Sequence, residues 1–244
     1  MLGVLFSSYS ADMAEVLGAA GLDFILIDCE HGPGSPESVA NCIRAAEIRG
    51  ASPMVRVTED TRTGILRYLD IGAQGILVPQ IESAKQVEQV VAYAKYSPQG
   101  IRGMAMPRAS TWGMDGPEYT CIANEQTLIA VQCENSACLN DIENVAAVPG
   151  VDVIFLGPYD MSHSLGIPGQ LKHPLMLDAE KRILNAAQQA GIAAGTFVGT
   201  IENAIKAREE GWRFILLGTD IMTLGSVYKG YVEAFKAVLR TDLQ

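Results

Sequence analysis

Hydrophobic positions along the chain fall into two alternating patterns. Short continuous runs rich in Val, Ile, Leu and Phe recur at VLFSSY (4–9), FILIDCE (24–30), SPMVRV (52–57), GILVPQ (75–80), LIAVQCE (128–134), VDVIFLG (151–157), AAGTFVG (193–199) and FILLGTD (214–220). Between them lie longer segments such as SAKQVEQVVAYAKY and DAEKRILNAAQQAG, whose apolar residues recur at three and four, with a Ser or Asp start and a Gly stop. The continuous runs read as strands buried on both faces, and their alternation with helices implies a parallel sheet with right-handed crossovers. Eight such units in 244 residues predict a TIM (β/α)8 barrel, one domain spanning 1–244. The alternative is an open doubly wound sheet, but no glycine-rich dinucleotide or P-loop motif follows any strand. A weak repeat supports the barrel: GLDFILID, GAQGILVP, GVDVIFLG and GWRFILLG each place a Gly shortly before a strand, as a helix C-cap would.

The rhythm breaks once, at 96–126, where YSPQGIRGMAMPRASTWGMDGPEY is rich in Gly, Pro and Met. A structureless connection of this length in a compact domain points to function, and its position after the fourth strand assigns it to the catalytic face. A decorated surface loop or an oligomer contact is the competing account.

Composition narrows the partners. A net charge of −10 argues against nucleic acid and against a polybasic membrane surface, and no apolar run is long enough to span a bilayer. The start lacks a basic segment ahead of its apolar residues, so the expected location is the cytoplasm. Five cysteines, at 29, 42, 121, 133 and 138, include no CxxC pair and read as reduced thiols.

If the strands close into a barrel, the polar residues at their C-terminal ends converge on one mouth: Asp28, Glu30, His31, Arg56, Gln80, Gln132, Glu134, Asp160, Thr196, Thr219 and Asp220. Lysine is missing from this set, which argues against Schiff-base chemistry. Glu134 and Asp160 end consecutive strands, so both carboxylates reach one cation. Two protein oxygens completed by water and substrate suit Mg2+ or Mn2+. Alternatively, Asp160 caps the helix that follows it. Arg56 interrupts an apolar strand and needs an acid or an anionic ligand, with Asp70 and Glu30 the candidate protein partners. His31 is either a proton-transfer group or a hydrogen-bonded structural residue. The turn in GPYDMSHSLGIPG offers backbone N–H groups to an anion beside Asp160. In LIDCEHGPG, Asp28 and Glu30 point to one side and support His31, Arg56 or a metal-bound water, while Cys29 points away into packing.

Taken together, these residues resemble the metal-dependent class II pyruvate aldolases of the HpcH/HpaI type, within the phosphoenolpyruvate/pyruvate barrel superfamily. The resemblance spans nearly the whole chain and rests on DCEHGP (28–33), PMVRV (53–57), DIGAQGILVPQIESA (70–84), YSPQGIRG (96–103), VQCE (131–134) and GPYDMSHSLGIPG (157–169). It implies Glu134 and Asp160 as ligands of a divalent metal, Mg2+ or Mn2+ with Co2+ a further option. It also implies Arg56 at the pyruvate keto oxygen, His31 as general base, and Asp70 as its acidic partner. Gln132 matches a polar residue near the metal. The backbone of Gly157, Pro158, Tyr159 and Asp160 matches the loop that holds the pyruvate carboxylate. The implied reaction is reversible cleavage of a 4-hydroxy-2-oxo acid, of the 2-keto-3-deoxy sugar acid or dioic type, into pyruvate and an aldehyde. The implied assembly is a homo-oligomer, a hexamer, with sites near subunit contacts.

Two departures stand out. Tyr159 replaces a smaller residue and alters the acceptor pocket, and the first strand begins almost at Met1, without a helix to close the barrel floor. The competing functions are an oxaloacetate decarboxylase or citramalyl-type lyase that uses the same enolate, and a non-catalytic barrel that binds 2-oxo acids.

Overall fold

A computed structural model describes residues 1–241. Eight parallel strands close in chain order: β1 (Leu2–Phe6), β2 (Phe24–Asp28), β3 (Ser52–Arg56), β4 (Gly75–Val78), β5 (Leu128–Cys133), β6 (Val153–Leu156), β7 (Ala193–Val198) and β8 (Phe214–Thr219). β8 pairs with β1 and completes the barrel. All eight predicted strands are present, and the fold is the predicted TIM barrel. The repeated glycines at 21, 72, 150 and 211 all hold positive φ, so they end one helix and release the chain into the next strand.

The strand period of two divides the apolar residues between two cores. Residues such as Ile25, Ile27, Val55, Ile76, Val131 and Ile154 face the surrounding helices and join one large cluster. Phe24, Leu26, Met54, Leu77, Ala130, Val153, Phe155, Phe214 and Leu216 fill the barrel interior. Phe214 stacks on Phe24 at 4.1 Å between centroids and meets Phe155 edge-on at 6.2 Å. The interior is thus a packed plug that supports whatever sits above it.

The 96–126 connection is placed differently from expectation. It follows the helix Ala84–Ala94, which runs back antiparallel to β4, so it lies at the opposite end of the barrel from the strand C-termini. Its second half is also ordered, as a 3₁₀ segment Arg108–Gly113 and a helix Gly116–Gln126. Charged contacts pin it there. Arg102 pairs with Asp70 at 2.9 Å and stacks over Tyr96, 4.7 Å from the ring centroid; Arg108 pairs with Glu47; and Lys95 donates to the carbonyls of Asn124 and Thr127.

The helix that follows β8, Asp220–Thr241, packs against β1 and β8. Large apolar residues along it, among them Leu224, Tyr228, Tyr231 and Phe235, are exposed.

Candidate active site

Three strands carry their inward-facing series past the apolar plug into polar residues. On β2, Phe24 and Leu26 are followed by Asp28; on β3, Met54 is followed by Arg56; on β5, Leu128 and Ala130 are followed by Gln132 and then Glu134. Register brings Asp28 directly opposite Arg56. The guanidinium forks onto that carboxylate, with Nε 2.9 Å from Oδ1 and Nη2 2.8 Å from Oδ2, and both residues are buried. Its remaining face approaches Glu30, Nη1 to Oε2 at 3.1 Å. Burial pulls the Arg56 pKa down, but the hydrogen bonds and charge of Asp28, with Glu30 and Glu134 behind, hold it above its ordinary value.

Glu134 lies just beyond β5 and is 2% exposed. The Gln80 N–H donates to Oε1 at 2.7 Å, from a residue held at φ 56°, and the Gln132 amide donates to Oε2. Burial nevertheless raises the Glu134 carboxyl, and the neighbouring charges of Glu30 and Asp160 raise it further. Glu30 is raised as well, first by burial and against the pull of Arg56. Two buried oxygens accept no hydrogen bond: Glu30 Oε2, whose approach to Arg56 is an ion pair without hydrogen-bond alignment, and Gln132 Oε1. Buried acceptors of this kind are costly unless something binds them. Gly157, at the end of β6, leaves the necessary space. A Cβ there would stand 2.8 Å from the Glu134 carboxylate and 3.0 Å from the Gln132 amide.

Asp160 is the third residue of the helix Pro158–Ser164, whose N-cap is Gly157, so the capping role considered for Asp160 is not the one it holds. His31 leaves β2 into the Gly-Pro-Gly turn, with a side chain 65% exposed and Nε2 3.9 Å from Glu30 Oε2. His31, Arg56, Gln132, Gly157, Pro158, Tyr159 and Asp160 line one cavity of about 430 Å³, the size of a small-ligand site. The donor set fits a hard cation. It is all oxygen, two of the acceptors receive no hydrogen bond, and the acids outnumber the one guanidinium. Among the described residues no group of three or more His, Cys, Asp or Glu stands ready to hold a metal.

Other expectations are corrected. Asp70 closes the helix Arg62–Asp70 and pairs with Arg102 on the far side of the barrel, so within one chain it meets neither His31 nor Arg56. Its direction follows from the helix, which returns the chain to the N-terminal ends of the strands. Asp220 is spent on the N–H groups of Ser7 and Ser8, and Thr196 faces away from the mouth, because its neighbour Phe197 faces in. Cys29 packs in the outer core as expected. Tyr9 is a residue that the sequence pattern concealed. It holds φ 53°, its hydroxyl donates to the Asp28 carbonyl, and its ring lies so close beneath Gly32 and Gly34 that a Cβ at either would collide with it. The His31 turn therefore rests on Tyr9.

Comparison with known proteins identifies the family. The family model described as HpcH/HpaI aldolase/citrate lyase matches residues 2–226. A hydroxypyruvate/pyruvate aldolase from Paraburkholderia phytofirmans is 39% identical, over 91% of this chain and 88% of its own. A 2-keto-3-deoxy-L-rhamnonate aldolase from Salmonella gallinarum is 33% identical, over 97% and 89%. The solved structure of an HpcH/HpaI aldolase/citrate lyase family protein from Burkholderia cenocepacia superposes with a TM-score of 0.93 at 35% identity, covering 97% of this chain and 94% of that one. The chain belongs to the HpcH/HpaI aldolase/citrate lyase family.

Proposed function

We propose that this chain is a metal-dependent class II aldolase that reversibly cleaves a 4-hydroxy-2-oxo acid into pyruvate and an aldehyde. The observation that carries this reading is the surplus of carboxylates around one guanidinium, with Gln132, which lines the cavity, leaving its buried Oε1 without a hydrogen bond. Glu134 and Asp160 are the residues that would hold a divalent cation, Mg2+ or Mn2+ with Co2+ a further option. When bound, that cation supplies Lewis acidity towards the carboxylate and keto oxygen of the 2-oxo acid. Arg56, fixed by Asp28, stabilises the negative charge that develops on the keto oxygen. The leading N–H groups of the helix Pro158–Ser164 have no intrahelical acceptor and receive the substrate carboxylate. His31 takes the proton from the 4-hydroxyl, the C3–C4 bond breaks, and pyruvate enolate and aldehyde result.

Enolate chemistry is measured without knowing the aldehyde, by deuterium exchange at the pyruvate methyl group followed by NMR. Exchange is expected with Mg2+ or Mn2+ and is lost with a chelator and in Glu134→Ala. Full exchange after either treatment removes the metal from the mechanism. Rapid consumption of oxaloacetate with no adduct from any aldehyde would favour decarboxylation instead.

The exposed apolar face of the helix Asp220–Thr241 supports a homo-oligomer. Asp70 keeps its role as acidic partner of His31 in this reading, supplied by a neighbouring subunit. Mixing His31→Ala and Asp70→Ala proteins, each impaired alone, is then expected to restore part of the activity in mixed oligomers; no recovery after verified subunit exchange returns Asp70 to a structural role. The five free thiols support a reducing compartment, the cytoplasm. Among the described residues no helix is long and apolar enough to cross a membrane.

A further inference from the structure

Glu134 is held in part by the loop that joins β4 to the helix Ala84–Ala94. The chain turns there at Gln80, whose φ of 56° is left-handed although the residue is not glycine. A conformation of this kind is strained and persists only where surrounding contacts over-determine it. One such contact is the bond from the Gln80 N–H to Glu134 Oε1, at 2.7 Å. The remaining contacts come from outside the cavity lining.

Gln86, in the first turn of the helix, supplies most of them. Its Nε2 donates to the Gln80 carbonyl at 3.3 Å and to Asp60 Oδ2, in the connection after β3, at 2.9 Å; its Oε1 accepts the Glu82 N–H at 2.8 Å. The orientation of the amide is fixed by these partners. The Asp60 carboxylate and the Gln80 carbonyl only accept, whereas the Glu82 N–H only donates. From the other side Asn135, the residue after Glu134, donates to the Ile81 carbonyl at 2.9 Å. The loop is thus tied both to the helix behind it and to the strand end that carries Glu134.

The simpler role for Gln86 is helix capping. SAKQ at 83–86 has the spacing of a capping box, and Ser83 Oγ accepts the Gln86 N–H at 3.4 Å. In a capping box the Gln side chain returns to the N–H of the cap residue, here Ser83. That of Gln86 reaches one residue further, to Glu82, and adds two donated bonds for which a cap has no use. We propose that Gln86 is a positioning residue for Glu134: by holding the Gln80 carbonyl it keeps Gln80 left-handed and its N–H aimed at the carboxylate. This deepens the reading of Glu134 as a metal ligand and rests on it. Partners that orient a metal ligand without touching the metal account for roughly 10-fold to 100-fold in affinity.

The test is the affinity of the full chain for Mn2+, followed by the EPR signal of the free ion, with the thermal midpoint of the metal-free protein as a separate readout. Gln86→Ala removes every side-chain bond of the residue and is expected to weaken Mn2+ binding roughly 10-fold. Gln86→Glu keeps an acceptor for the Glu82 N–H but cannot donate to Gln80, and is expected to weaken binding by a similar factor. Its added negative charge favours a cation, so electrostatics does not account for that loss. Unchanged affinity in both variants overturns the proposal, and a lower midpoint alone then marks Gln86 as a helix cap. Weaker binding in Gln86→Ala but not in Gln86→Glu places the effect on the Glu82 N–H and overturns the link through Gln80. The unmodified protein and Glu134→Gln separate the two levels. If the first binds no Mn2+, or the second binds it as tightly, the metal assignment of Glu134 fails and this inference with it. Binding that needs Glu134 and is indifferent to Gln86 sinks this inference alone.

Discussion

The two ends of the barrel both bury arginine, but they balance it differently. At the end away from the strand C-termini, Arg102 faces Asp70 and Arg108 faces Glu47, one acid for each guanidinium, while the buried Lys95 ends on backbone carbonyls. At the mouth, Arg56 is paired with Asp28 and Glu30, and Glu134 and Asp160 act on the same neighbourhood. The first end matches its guanidinium groups to acids one for one and fixes the long connection, with Arg102 Nε alone left without a hydrogen-bond acceptor among the atoms described there. The second is short of positive charge. Burial alone does not separate a strut from a site; an uncompensated excess of one sign does.

Removing the guanidinium at each end gives the largest contrast. Arg56→Ala strands the buried Asp28 carboxylate and is expected to cost about 3–5 kcal/mol in urea denaturation, and to slow methyl exchange by about 10²–10³-fold. Arg102→Ala leaves Asp70, whose side chain is 21% exposed, able to reach water, so the expected cost is smaller, about 1.5–3 kcal/mol. Equal costs at the two ends would mean that Asp28 is not isolated by burial.

A smaller effect is expected from pH and metal together. Glu30 and Glu134 both have folded pKa values raised above the ordinary glutamate value of 4.5. The folded state therefore holds protons that the unfolded state has lost. The contribution of these groups to stability is fully present below 4.5 and declines as pH rises through their folded pKa values. On the proposed reading a divalent cation held by Glu134 competes with its proton, so the thermal midpoint gained on adding Mn2+ is expected to grow across the same window, and to grow less in Glu134→Gln. A gain that is flat with pH would show that the metal does not compete for the Glu134 carboxylate.

Much of this was legible in the strand pattern. The period of two, continued beyond the apolar plug, names Asp28, Arg56, Gln132 and Glu134 as residues of the mouth. Pairing was less visible: Arg56 chose Asp28 because β2 and β3 align them, and register is not written in either strand alone. Direction was misread once. The 96–126 connection follows a helix, which carries the chain to the other end of the barrel, so coming after a strand in sequence does not place a segment at its mouth. Conformations such as Gln80 at φ 56° and Tyr9 at φ 53° left no signal, because neither residue type advertises a left-handed backbone.

Tyr9 provides the finest probe of the difference between the two ends, because it changes no charge. Burial, reinforced by the charges of Cys29 and Asp28, pushes its phenol up to about 12, so at neutral pH the hydroxyl is a donor and the Asp28 carbonyl its acceptor. Tyr9→Phe keeps the ring beneath Gly32 and Gly34 and removes only this bond, for an expected loss of about 1 kcal/mol. If Tyr9 merely fills space, the thermal midpoint falls and exchange and cleavage do not. If it positions the turn that carries His31, cleavage of the 4-hydroxy acid slows more than methyl exchange, by less than about tenfold, because the proton on the 4-hydroxyl is the one His31 must meet. That split between two reactions of the same enolate is expected here. Equal slowing of both would instead place the effect of Tyr9 on Arg56, through the Asp28 carboxylate that holds it.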